Sequence, residues 1–504
     1  MPADPEPVAA ESRPPSAADG GEQHPFAGAL HEAVGAPPVS DAAIRTLSVV
    51  LGEFAVPRPD GDGNRDSDGD GDGDGDGDGE AAADEHADDR VLRPLREMVS
   101  ERQRSHFARA LDLAGGLRTA RAELSNPVIA GVVAEQCAIT YVLNADSVRA
   151  LTDLAAASAA NARVGVLHRR SLLLSSMVHS LRGNLREGGQ FLRRAQRTGV
   201  SPVPLGPSEG WETLAGALVR IESGSPGDGT RTAPLPAVET IGELWPLVML
   251  AQGREALIAH SPLRVVESAE FALQCHDAHG LLALDAAAWL LVHGHLGLGD
   301  VARAEEALVE HGQAEGRLSR LAEARLFLEK DEPVRTREIT DRLIALRGGS
   351  VAMRGEALLL RIWADCLLGG HSDPMRNGVA ARLATHSGLL RPFAHMPQWL
   401  IDEIADALEG EPSVRFRAAT RGLATASTER PAEPLSPREQ IVLDALFEHE
   451  SVADIAAALY VSPSTVKSQL SAVYRKLGVH SRTAAIAAAV RAGMRPPARR
   501  RGPG

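Results

Sequence analysis

Across residues 90–421 apolar positions recur at the three-to-four-residue interval of amphipathic helices, in a background rich in Ala, Leu, Arg and Glu. Turn signals break the period at 144–146, 183–184, 224–227, 261–262, 299–300, 331–333 and 370–374, in steps of about 32 to 41 residues. An apolar helix commonly precedes each turn and an amphipathic one follows, as in 285–298 and then 301–309, with Asp300 placed to cap the second. A pair of short helices cannot bury its own apolar face. Consecutive pairs are therefore expected to stack into a superhelix with a concave binding surface, an all-α fold over residues 90–422.

The pattern changes after a short linker, 423–434. Ser436, Pro437 and Glu439 predict a capped helix through about Phe447, and Ser451 precedes a second helix from Val452 to Tyr460. Ser462 and Pro463 start a third that runs to about Leu477, and Ser481 caps a fourth from Arg482 to Arg491. In the third helix Val466, Leu470, Val473 and Leu477 form an inward stripe. The opposite face carries Ser464, Thr465, Lys467, Ser468, Ser471 and Arg475, short hydroxyls and cations without a carboxylate. An ordinary solvated face mixes Glu with Lys. A face of this kind suits a major groove, where hydroxyls and Lys reach base edges and phosphates.

Charge supports that reading. The net charge is −14, yet residues 60–89 hold fourteen acidic side chains and one Arg, so the rest of the chain is close to neutral. Residues 455–504 hold nine basic side chains and no acidic one, the footprint of a module with a polyanionic partner.

Residues 435–493 resemble the LuxR-type helix-turn-helix domain. The resemblance is carried by Leu-Ser-Pro-Arg-Glu at 435–439, Asp-Ile-Ala at 454–456, Val-Ser-Pro-Ser-Thr-Val-Lys at 461–467, Arg-Lys-Leu-Gly-Val at 475–479 and Ser-Arg-Thr at 481–483. It implies a tetrahelical domain that binds duplex DNA as a homodimer, with Lys467, Ser468 and Ser471 at base edges. Ser464, Thr465, Gln469, Arg475, Lys476 and Arg482 would then meet the DNA backbone. Three positions depart from the family pattern: His449 replaces a usual Gly, Val452 and Ala453 replace Asn-Lys, and Gln469 replaces a frequent His. The helical region is similar to tetratricopeptide-like repeats in period, without their signature side chains. Together the two parts resemble the large, maltose-regulator-like branch of LuxR proteins without its ATPase. The resemblance implies a transcription regulator, with the repeats as a sensor, partner-binding or oligomerisation platform and RNA polymerase as a further candidate partner. A repeat scaffold with a vestigial DNA domain is the alternative.

Several chemistries are screened out. The three lysines, Lys330, Lys467 and Lys476, never follow a glycine, so no P-loop is present and neither ATP nor another cofactor is expected. Gly297, Gly299 and Ala302 imitate a dinucleotide fingerprint but follow a helical segment, not a strand. His293 and His295 form an HxH with no carboxylate or third histidine at metal-ligand spacing, and are read as a helix-end pair with no metal expected. Trp245, Trp289 and Trp363 are assigned to the core. With no convergent catalytic constellation, an enzyme is not expected. Cys137, Cys275 and Cys366 are scattered, and there is neither a signal-peptide h-region nor an apolar run long enough to span a bilayer. A cytoplasmic, nucleoid-associated protein without membrane contact follows.

Residues 1–59 read as a mostly disordered arm with one short helix at about 40–56, residues 60–89 as an acidic Asp-Gly linker, and residues 494–504 as a disordered basic tail. Asp66, Asp68 and Asp70 imitate half a calcium loop, but its twelfth position is Gly77 where a bidentate Glu is needed. Deleting residues 60–79 should leave the circular-dichroism helical signal and the melting temperature nearly unchanged. A large loss of either would mean that the stretch packs on the fold.

Overall fold

The computed structural model describes residue 47 and residues 87–124, 126–198, 209–224, 233–276, 280–368, 373–423, 435–449, 451–477 and 482–491. Most of the arm and the acidic linker, residues 424–434 and the basic tail lie outside the described residues. Within the arm, Leu47 is helical and buried. The protein is all-α, with no strand among the described residues.

The helices come in antiparallel pairs. Ala87–Gln103 pairs with Phe107–Ala120, Pro127–Leu143 with Ser147–Ala160, and Gly165–Leu181 with Leu185–Arg197. After Glu209–Glu222 the pattern resumes: Trp245–Ile258 with Pro262–Cys275, Leu281–Gly297 with Val301–His311, and Arg317–Glu329 with Pro333–Ala345. Val351–Leu367 and Pro374–Thr385 follow, and short helices Arg391–Ala394, Gln398–Asp406 and Glu411–Thr420 end the array.

Within a pair the two members differ in kind. Pro127–Leu143 buries fifteen of its 17 residues. Its partner Ser147–Ala160 buries only the stripe Ala150, Asp153, Leu154 and Ala157. The first helix is apolar all round because its own partner covers one side and helices of neighbouring pairs cover others. The second faces solvent and needs one apolar stripe.

One backbone form closes the turns. Ser105, Ala145, Gly183, His260, Gly299 and Asp331 all take a positive φ, between 50° and 82°. The N–H of that residue donates to a carbonyl three residues back, as in Gly183 to Ser180 O at 2.8 Å, and the next N–H donates to one five back, as in Asn184 to His179 O at 2.9 Å. These paired bonds satisfy the last carbonyls of the first helix. The same residue then starts the second helix: the Asp300 carboxylate, as expected, accepts from Arg303 N at 3.0 Å, and Asp146 accepts from Arg149 N at 3.1 Å. Only Gly183 and Gly299 of these six lack a Cβ. The other four side chains bear a left-handed conformation that costs about 1–2 kcal/mol each.

Polar groups are also buried between pairs. Asp285, in the first helix of one pair, accepts from Leu318 N at 3.1 Å and Ser319 N at 2.6 Å, and so caps the first helix of the next. Burial pushes its carboxyl above the usual range, and those bonds oppose the shift. Deeper still lies a quartet of charges. Glu222 accepts from Arg254 at 2.5 Å and from Arg391 at 2.9 Å, and Arg391 also donates to Glu356 at 2.9 Å. Trp289, fully buried, lies with its ring centre 5.5 Å from each of the two guanidinium groups and donates its indole N–H to Glu356 at 2.8 Å. Two cations and two carboxylates from four helices thus neutralise one another around one indole. Burial works against the charged form of Glu356, but Arg391, His395 and His293 together outweigh it and hold the carboxyl down at about 2.

Trp245, Trp289 and Trp363 are all core residues, as their sequence surroundings indicate. No helix among the described residues is long and apolar enough to cross a membrane. Replacing Arg391 by Met should strand part of the negative charge of Glu222 and Glu356, and breaking a buried pair in this way costs about 3–5 kcal/mol. The measurement is the urea midpoint of the full chain; an unchanged midpoint would show that the quartet contributes nothing to stability.

Candidate nucleic-acid interface

Four helices form the C-terminal unit: Pro437–Glu448, Val452–Ala458, Pro463–Lys476 and Arg482–Arg491. The first two open with reciprocal capping boxes. Ser436 Oγ accepts from Glu439 N at 3.3 Å while Glu439 accepts from Ser436 N at 2.6 Å. Ser451 and Asp454 repeat the arrangement at 3.1 and 3.2 Å. These boxes fix where each helix begins. The second helix ends at Ala458, two residues short of its expected end, because Tyr460 turns to φ 56° and makes the same closure as the repeat turns, with Val461 N donating to Ala456 O at 3.0 Å. Tyr460 itself stands 95% exposed.

The third helix enters the small core through its apolar stripe. Val466, Leu470 and Val473 are buried with Val442, Leu443, Leu446, Ile455, Ala485 and Ala489, and Leu477 packs at the edge. That contact sets the rotation of the helix, and rotation decides which side chains face outward. Ser464, Thr465, Lys467, Ser468 and Ser471 are exposed, and Gln469 is half-buried. At the start of the helix Ser462 Oγ accepts from Thr465 N at 3.1 Å and lies 2.7 Å from Ser464 Oγ and 2.8 Å from Thr465 Oγ1, so three hydroxyls are gathered at one helix end. Ser468 Oγ donates to Thr465 O at 3.0 Å. Arg475 belongs to the helix, but its side chain lies outside the described residues.

Two of the expected backbone-contacting cations are engaged within the protein. Lys476 Nζ donates to Glu439 Oε2 at 2.8 Å, the carboxylate that closes the first capping box, with the two side chains about one-tenth exposed. Arg482 donates to Leu446 O at 2.6 Å and to His449 O, covering the carboxyl end of the first helix. Nothing in the sequence marks Glu439 as the partner of Lys476, 37 residues away. The Lys476 hydrogen bond, with help from Ser436, holds the Glu439 carboxyl down at about 2. The His449 departure also has a physical reading. Its φ of −123° and ψ of 139° are extended backbone, so the site where the family often carries Gly needs none here. Val452, half-buried, packs against the domain core.

The arrangement is a helix-turn-helix unit that presents one face of its third helix, with no carboxylate on that helix. Residues 433–489 match the family described as "Bacterial regulatory proteins, luxR family", and this end of the chain is a LuxR-type domain. Over 145 residues the chain is 33% identical to the "Probable transcriptional regulatory protein NarL" of Mycobacterium tuberculosis, covering 28% of this chain and 64% of that relative. Over 108 residues it is 34% identical to the "Uncharacterized transcriptional regulatory protein YxjL" of Bacillus subtilis, covering 20% of this chain and 49% of that protein. The chain thus spans less than two thirds of the length of either relative. No solved structure matches. Both relatives are described by their names as transcriptional regulatory proteins.

Because Glu439 ionises at about 2 in the folded chain against an ordinary 4.5, its capping and pairing stabilise the domain fully above about pH 4.5 and progressively less down to about pH 2. The difference in melting temperature between the natural chain and Glu439→Gln should narrow across that interval. A difference that stays constant with pH would contradict the ionised capping pair.

Proposed function

We propose that this protein regulates transcription by binding duplex DNA as a homodimer, with the third helix of its C-terminal domain in the major groove. The observation that carries the reading is the exposed face of Ser464, Thr465, Lys467, Ser468 and Ser471, free of carboxylates and held outward by the buried stripe behind it. Lys467, Ser468 and Ser471 are assigned to base edges, and Ser464, Thr465, Gln469 and Arg475 to the backbone. The gathered hydroxyls at the helix start suit a phosphate oxygen, which the positive end of the helix also favours. Lys476 and Arg482 are reassigned. Their hydrogen bonds suit a bracing role: Lys476 ties the third helix to Glu439 of the first, and Arg482 ties the start of the fourth helix to the end of the first. The stacked pairs of residues 87–423 serve as the platform for an effector, a protein partner or a second copy, and RNA polymerase is the natural downstream partner of such a regulator. The intact capping boxes and the carboxylate-free face speak against a vestigial domain, since a drifting surface would be expected to acquire Asp or Glu.

The two lysines then separate the roles. Lys467→Ala should leave the melting temperature unchanged, cost about 1–3 kcal/mol in operator binding and relax preference at one base position. Lys476→Ala should lower thermal stability of the C-terminal domain, because it leaves Glu439 without its cation. Binding to a selected operator, to its single-base variants and to random DNA, alongside melting curves, reads both. If Lys467→Ala lowered affinity equally for every sequence, its assignment to base reading would fail.

A further inference from the structure

The inner helices bring together three side chains that are far apart in sequence. His293 lies in Leu281–Gly297, Glu356 in Val351–Leu367, and His395 directly after Arg391–Ala394. All three are buried, at 7%, 1% and 8% exposure, and one nitrogen or oxygen from each lies within 4.8 Å of the others. We infer that His293, Glu356 and His395 form a binding site for one divalent transition-metal ion of the zinc type, independent of the DNA reading.

The donor set and its surroundings carry the inference. Two imidazoles and one carboxylate are a ligand set that suits zinc and neighbouring ions, and they leave a position for water or an exogenous donor. His293 is already oriented. Its Nδ1 lies 2.8 Å from the Trp289 carbonyl oxygen, which directs the other ring nitrogen away from its own helix, as outer partners of metal-bound histidines do. The two imidazole rings stand nearly perpendicular, 83° apart with centres 5.5 Å from each other. His395 Nε2 is the second observation. It is buried without a hydrogen-bond partner and lies 3.9 Å from Glu356 Oε1, so it faces the carboxylate without donating to it. A buried nitrogen left in this state costs free energy unless something occupies it. Glu356 is tied behind by Arg391 at Oε2 and by the Trp289 indole at Oε1, which fixes the carboxylate and leaves a lone pair of Oε1 toward the histidines. Small side-chain movements would bring the three atoms to bonds of about 2.0–2.2 Å.

The experiment is titration of the metal-stripped full chain with Co2+, in excess Mg2+ to occupy the oxygen donors of the Asp-Gly stretch. One ion per chain should bind tightly, with the visible absorption of a low-coordinate site, and Zn2+ should displace it. His293→Gln and His395→Gln, checked for fold by circular dichroism, should each weaken Co2+ binding by about a hundredfold or more, since loss of an outer partner alone costs about 10–100-fold. Absence of a tight stoichiometric site in the natural chain would overturn the proposal, as would tight binding that survives both substitutions. Should either variant fail to fold, X-ray absorption of the zinc-loaded natural chain decides: two imidazoles in the coordination sphere support the site, and an all-oxygen sphere refutes it.

Discussion

The array rests on one constraint, that a helix apolar on every side has no stable exposed state. Pro127–Leu143 and Leu281–Gly297 bury nearly their whole circumference, which a single partner helix cannot provide. Neighbouring pairs must therefore pack against them, and the pairs accumulate into an array. The closed turn makes this repeatable. Because it ends the first helix and starts the second within three residues, successive pairs enter the stack with similar geometry even where glycine is absent.

Dense packing of that kind leaves little room for polar groups, so the charged residues within it are organised. Glu222, Arg254, Arg391 and Glu356 neutralise one another around Trp289, and Asp285 spends its buried carboxylate on the free N–H groups of a neighbouring helix. Such groups give modest net stability compared with apolar replacements, but they penalise any shift of one pair against another, because a slipped register would strand a buried charge. The helical array is thus assembled from helices whose relative positions are fixed by charge as well as shape.

The C-terminal domain applies the same physics on a smaller scale. Its core is small, and much of its definition comes from caps: two capping boxes, the Tyr460 closure, and the cations Lys476 and Arg482 turned inward to a carboxylate and to helix-end carbonyls. Those two cations hold the scaffold, while the outer face of the third helix leaves Lys467 and its hydroxyls exposed.

The sequence by itself was enough for the all-helical class, for most of the turn positions, for the four C-terminal helices to within two residues, and for the stripe that turns Lys467, Ser468 and Ser471 outward. Those features depend on local period and capping, which are written in neighbouring residues. Glycine marks only two of the six closures, since Ser105, Ala145, His260 and Asp331 adopt the left-handed turn with a side chain, and of these only the Ser105 turn has no signal at or beside it. Only the tertiary structure decided which charges pair. Lys476 meets Glu439 across 37 positions and Arg391 meets Glu222 across 169, distances over which local sequence carries no pairing information. The same holds for His293. In sequence it has no third ligand at any useful spacing, whereas in the fold Glu356 and His395 converge on it from other helices, because packing and not spacing chooses the neighbours of a buried side chain.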